Sequence, residues 1–146
     1  MARGLAVVLT AIAGGLVAMQ APINSKLGKT VGTFPAATVS FTIGLVVLLG
    51  IAAVAGDAAR IADARHVPWW YLVGGLLGAA YVSTVLVTVR SLGAGGVTAA
   101  TIAGQLTMAV LIDQLGWLGV ARQPVTAARL AGVALLAAGV YLIVRD

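Results

Sequence analysis

The sequence predicts an all-α membrane protein with five transmembrane helices, and three observations lead to that fold class. With 61% hydrophobic residues, 9% charged and a mean hydropathy of +1.08 over 146 residues, polar side chains are too few to coat a soluble globule of this size. Apolar stretches recur at residues 5–21, 34–55, 69–89, 97–118 and 127–144. Each approaches the roughly 20 residues that carry a helix across a hydrocarbon core, the first only just. Trp and Tyr favour the headgroup level, and Trp69–Trp70 open the third stretch while Trp117 closes the fourth. A chain that crosses the bilayer at every stretch puts both points on the same face.

The elements follow in order. The segment after Met-Ala-Arg-Gly resembles a signal peptide in having one basic residue and an apolar core. The further spans behind it make a retained first helix the expectation. Pro22, lacking an amide proton, is expected to kink or end that helix. The second span leads into the long polar stretch Gly56 to Val67, with Asp57, Arg60, Asp63, Arg65 and His66. The third is rich in small residues, including Gly74 and Gly78 four apart, which lets helices approach closely. Gly93-Ala94-Gly95-Gly96 lacks the Gly-Lys-Ser/Thr end of a phosphate-cradling loop, so it is expected to be a turn into the fourth span. In the fifth, Ala128, Gly132 and Gly139 lie four and seven apart in one stripe, the pattern of a helix that meets its own copy.

Charge narrows the partners. A net charge of +5 and a pI near 10.5 would suggest nucleic acid in a soluble protein. Here the basic residues are scattered singly over short loops, with no basic stripe or interleaved aromatics, so no nucleic-acid partner is expected. The alternating trace puts Arg3, Arg60, Arg65, Arg122 and Arg129 on one face and Lys26, Lys29, Arg90 and Arg145 on the other. A five-to-four split gives little orientational bias, so copies can insert both ways up. Two inverted copies can pair about a two-fold axis in the membrane plane, reproducing the inverted-repeat design of many secondary transporters. The expected partners are therefore an inverted copy of the chain and the bilayer.

Few residues can carry chemistry. There is no cysteine, and the single histidine, His66, sits in the polar loop. No carboxylate pair, Ser/His/Asp set or metal-ligand cluster falls within the spans, so neither an enzyme nor a metal or other cofactor is expected. Polar side chains inside apolar spans are the signal that remains. Gln20 and Asn24 are four apart, on one face of the first helix. Gln105 lies near the middle of the fourth span, with Thr98 and Thr101 on its face. An amide facing lipid forfeits hydrogen bonds worth several kcal/mol, so these groups must face protein or a wet cavity. A residue near mid-span keeps its depth when its copy is inverted. Two Gln105 side chains, helped by Gln20, Asn24 and Ser40, are thus expected to line a substrate-binding cavity between the chains; the bland alternative is interhelical glue. Asp113 is the sole acid inside a span, at a cost of at least about 2.5 to 3.5 kcal/mol in hydrocarbon. It is expected either to couple or gate transport, or to form a structural ion pair with Arg122 or Arg129.

With these residues laid out, the chain resembles the YdcZ family of the drug/metabolite transporter superfamily over essentially its whole length. The landmarks are Gln20-Ala-Pro-Ile-Asn24 with Leu27-Gly28, Val39-Ser40-Phe41 with Gly44, and Trp69-Trp70 leading to Gly74-Gly75-Leu76-Leu77-Gly78. Gly104-Gln105-Leu106, Ile112-Asp113-Gln114-Leu115-Gly116 and the closing Gly132 to Gly139 complete them. The resemblance implies a multi-pass bacterial inner-membrane protein that exports or exchanges small molecules, and half-size chains that work in pairs. Gln114 departs from it, standing where the family commonly places a histidine after the aspartate, which puts an Asp-His proton relay in question. The chain also resembles the small multidrug resistance transporters, antiparallel pairs of four-helix chains with an essential glutamate in the first helix. No acid lies in the first span here, which leaves Asp113 as the membrane carboxylate.

The reading is a secondary transporter or exporter of small organic solutes that works by alternating access as an antiparallel homodimer. The alternatives are a passive channel on the same dimer and a non-transporting membrane scaffold.

Overall fold

The computed structural model describes residues 2–145, which divide into two compact units, one ending at Arg90 and one beginning at Ser91. Among the described residues there is no strand. Four α-helices are present: α1 (Arg3–Val31), α2 (Thr33–Val54), α3 (Val73–Leu115) and α4 (Ala127–Val144). All four are long and apolar enough to cross a membrane. The third has 43 residues, roughly 65 Å at about 1.5 Å per residue, or twice a hydrocarbon core. Gly93 resolves the excess: at φ 66°, ψ 173° it leaves the helical region, dividing α3 into residues 73–92 and 94–115, each a crossing long. The expected turn at Gly93–Gly96 is thus a single-residue break with helix resuming at once, a conformation glycine adopts without a Cβ clash.

In the first unit, α1 runs through Pro22 to Val31 instead of ending near residue 21. Pro22 removes one donor, a loss that helices in membranes tolerate when neighbouring groups take over the freed carbonyl. At 29 residues the helix is about 44 Å long, so its last turns, with Lys26 and Lys29, reach beyond a core of about 30 Å. Gly32, at φ 95°, joins α1 directly to α2. The two pack as an antiparallel hairpin, with Asn24 and Ser40, equidistant from Gly32, in contact. That places Arg3 at the end where α2 runs into the polar loop, and Lys26 and Lys29 at the other. The polar loop is wound into short 3-10 turns over Ala58–His66 and Trp69–Leu72, with an exposed Asp57–Arg60 ion pair at 3.0 Å.

The core of this unit is small. Ala36, Ala37, Val82 and Leu86 form its buried cluster, with Leu27 and Tyr81 packed against it. Leu86 is the only large side chain fully buried among the described residues. A chain surrounded by lipid gains little from an apolar interior, so close helix approach through alanine and glycine takes the place of a leucine core.

In the second unit, Gly116, in the left-handed region at φ 65°, ends α3. Leu118, at φ 60°, is strained as glycine would not be. A connection through residues 119–126 leads to α4, whose first turn is capped by Thr126, its Oγ1 accepting from the Arg129 amide at 3.3 Å. A Cβ on Gly96 would come within 3.1 Å of the Leu92 Cβ, while Val144, at 3.6 Å, marks the far end of α4 lying against the start of the 94–115 helix.

Candidate functional site

Hydroxyl and amide groups that find partners within the spans do so in two ways, and the difference singles out the site. Thr10, Thr38, Thr42, Thr84, Thr88 and Thr107 each return their hydroxyl to the carbonyl four residues back, at 2.8 to 3.0 Å. Such bonds are local and leave the side chain outwardly apolar. Asn24 and Ser40 behave otherwise: Asn24 Nδ2 donates to Ser40 Oγ across the hairpin at 3.0 Å, with Asn24 buried and Ser40 half-buried. This bond ties α1 to α2 at one depth, since an unpaired buried amide would cost about 1–3 kcal/mol.

Beside that bond lies a groove of about 360 Å³ lined by Gln20 from α1 and by Ser40, Phe41, Gly44, Leu45 and Leu48 from α2. No charged side chain lines it. Ser40 accepts from Asn24 and keeps its own proton to donate, while the exposed Gln20 amide offers both a donor and an acceptor. Phe41 supplies an aromatic face. The structure thus brings together three of the sequence-predicted residues, Gln20, Asn24 and Ser40, around one uncharged, amphipathic recess.

Gln105 belongs to the second unit and is exposed there, as Thr98 and Thr101, half-buried, are not. Gly132 is exposed and Gly139 half-exposed on α4, Ala128 is exposed, and a Cβ at either glycine would meet no atom within 4 Å. None of the described residues of α4 is buried. The stripe expected at a dimer contact therefore faces open space within the chain.

Asp113 sits in a polar knot within the second unit. Arg129 Nη1 lies 3.2 Å from Asp113 Oδ2, with the side chains 32% and 28% exposed. The same guanidinium donates through Nη2 to Gln123 Oε1, and the Gln123 amide donates to the Asp113 carbonyl at 2.8 Å. Arg122, the other expected partner, instead donates from Nε to the Gln114 carbonyl at 2.9 Å. Gln114 Oε1 accepts from the Val125 amide at 2.7 Å. An amide carbonyl accepts this bond whatever the pH, whereas an imidazole would lose its acceptor on protonation. Composition gave no hint of Gln123, and Gln114 stood out only as a departure; Gln114 meets a backbone amide and Gln123 both the Asp113 carbonyl and the Arg129 guanidinium, groups whose proximity depends on the fold.

Among the described residues, no group of His, Cys, Asp or Glu side chains could hold a metal ion. A family model described as "Putative inner membrane exporter, YdcZ" matches residues 5–142. No curated protein matches the chain, and no solved structure does.

Proposed function

Since the chain belongs to the YdcZ family and is a multi-pass inner-membrane protein with a transporter's role, we propose that it exports small organic solutes by alternating access as an antiparallel homodimer. The observation that carries this reading is the recess at Gln20 and Ser40, with the Asn24–Ser40 bond fixing its wall. Hydrogen-bonding groups at the edge of an apolar, partly aromatic groove suit a neutral or weakly polar solute, bound firmly enough to be selected and weakly enough to leave. The absence of charge on its lining disfavours a small ion as cargo.

Pairing is supported by the five-to-four distribution of basic residues and by the exposed amide of Gln105, which a lone chain would present to lipid. In the dimer, Gln105 faces its inverted copy at equal depth and contributes to the solute path. Asp113 is the coupling residue: its contact with Arg129 ties the end of the 94–115 helix to the first turn of α4, and parting that contact frees the helix end.

The test begins with a thermal-shift screen of neutral organic solutes on the purified protein, because a ligand that binds only the native state raises its melting temperature. Gln20→Leu should remove the shift given by a hit. In proteoliposomes, wild type should show saturable, gradient-coupled flux of that solute, and Gln105→Leu should abolish it while leaving expression and dimer intact. Non-saturating flux at channel rates would favour the pore. Loss of the dimer in Gln105→Leu, or normal transport by it, would reduce Gln105 to interhelical glue.

A further inference from the structure

A second recess in the first unit has a different chemistry. Arg90, at the end of this unit, lays its guanidinium across Gly28, where a Cβ would come within 3.2 Å of Nη2. Its one polar contact among the described residues is a long bond of 3.5 Å to Thr33 Oγ1. Lys26 and Lys29 flank Gly28 in the last turns of α1, and neither has an ion-pair partner among the described residues. The acids of this unit, Asp57 and Asp63, lie in the polar loop at the opposite end of the α1–α2 hairpin. Three cations therefore gather at one membrane face with nothing in the unit to balance them.

From Arg90 a groove descends between α2 and residues 73–92. Its upper part, about 440 Å³, is lined by Thr33, Phe34, Ser83, Thr84, Val87 and Thr88. The lower part, about 570 Å³, shares Phe34 and Ser83 and continues past Ala37, Phe41, Leu45 and Ala79. Thr84 and Thr88 spend their protons on backbone carbonyls. Thr33 and Ser83 do not, so both hydroxyls remain free to donate. Ser83 is seven residues from Arg90, about 10 Å deeper, and Ala79 about 16 Å deeper. The recess thus has a cationic mouth, a lone hydroxyl donor about 10 Å below it, and an apolar trough whose depth matches one leaflet, half of a core of about 30 Å.

We propose that this groove binds one anionic phospholipid. The phosphate pairs with Arg90 and the Thr33 hydroxyl, an acyl ester carbonyl accepts from Ser83, and the chain lies along Phe34, Phe41 and Leu45. Basic pockets between transmembrane helices are suited to such headgroups. A carboxylate from a second copy would satisfy the cations but would leave the Ser83 donor and the trough unexplained.

The experiment is native mass spectrometry of the detergent-purified full chain, titrated separately with dioleoyl-phosphatidylglycerol and dioleoyl-phosphatidylcholine. One phosphatidylglycerol should bind per chain, at least about tenfold tighter than phosphatidylcholine, whose choline ammonium is repelled by Arg90, Lys26 and Lys29. Arg90→Gln should weaken both lipids and narrow the preference, and Arg90→Lys should restore part of it. Ser83→Ala should weaken both lipids alike, by about threefold, since both carry the ester. Glycerol phosphate, a phosphate monoester without chains, should not compete. Equal binding of the two lipids by wild type would overturn the proposal, as would an unchanged preference in folded Arg90→Gln. Competition by glycerol phosphate would show a soluble-anion site instead, and a dimer with no adduct would show the groove covered by the second copy. Should Arg90→Gln fail to fold, the lipid ratio in wild type and the Ser83→Ala titration decide.

Discussion

Replacing Asp113 by Asn removes a charge while keeping the side chain's shape and one acceptor oxygen, so it isolates the electrostatic part of the contact with Arg129. At 3.2 Å and an effective dielectric constant of about 20, the gross attraction is about 5 kcal/mol. Both side chains are nearly a third exposed, which brings screening and the cost of ordering two side chains, so the net value falls well below the gross one. Exposed pairs contribute about 0.2–1 kcal/mol and breaking buried ones costs about 3–5 kcal/mol. A partly buried pair with a second bond to Gln123 belongs between these, at about 1–2 kcal/mol. Asp113→Asn should therefore lower the melting temperature by roughly 2–8 °C, which a thermal melt in detergent measures. Arg129→Gln alone should cost at least as much, because Gln123 also loses its donor. In the double variant the losses should be less than additive by about 1 kcal/mol. Stability alone leaves an anchoring role and a coupling role indistinguishable, so the decisive measurement is solute flux against pH. If Asp113 couples transport, Asp113→Asn binds solute and forms a dimer, yet its flux no longer responds to pH. A stable Asp113→Asn protein with normal pH-dependent flux would refute coupling through this carboxylate.

Two further outcomes follow from the same structure. Asn24→Leu leaves Ser40 without its cross-hairpin donor and places a branched apolar side chain in a buried site, so stability should fall by about 1–3 kcal/mol and solute binding at the Gln20 recess should weaken with it, both read by thermal shift. A C-terminal reporter should be found on both sides of the membrane, and two lysines added at one end should fix one orientation; a single orientation in wild type, with no partner chain, would remove the antiparallel homodimer.

The helical membrane fold was legible because lipid imposes long apolar runs, and such runs survive in composition and spacing without any knowledge of contacts. The finer boundaries were less so. Pro22 signals a break in water, but the helix passes through it; the Gly93–Gly96 run signals a loop, but one left-handed residue suffices to end one crossing and begin the next. At the site, Gln20 and Asn24 could be placed on one face from their spacing alone. Their meeting with Ser40 depends on Gly32 folding α2 straight back on α1, which no periodicity reports. Asp113 stood out as the lone acid in a span, and both arginines were candidates to pair with it. The choice between them rests on the path of residues 116–126, where the left-handed Gly116 and strained Leu118 turn the chain so that Arg122 reaches a carbonyl and Arg129 the carboxylate.

The exposed small residues and the mid-span amide bear on the proposed dimer. At two glycines a neighbour crowds the place a Cβ would take, Arg90 Nη2 at 3.2 Å for Gly28 and Leu92 Cβ at 3.1 Å for Gly96. At Gly104, Gly132 and Gly139, as at Gly14, Gly15, Gly44, Gly50, Gly74 and Gly75, nothing stands there, although each glycine lowers the helix propensity of its span by about 0.8–1 kcal/mol relative to alanine. Gly104 adjoins Gln105, whose amide is exposed at mid-span, and Gly132 and Gly139 share a stripe with Ala128 on a helix with no buried residue. In lipid a smooth, glycine-lined face gains from close van der Waals approach of another helix, and an exposed amide gains from a hydrogen-bonding partner at the same depth. An inverted copy offers both gains to both chains with one set of residues. On this reading the helices that look least finished in the single chain are those that the proposed dimer completes.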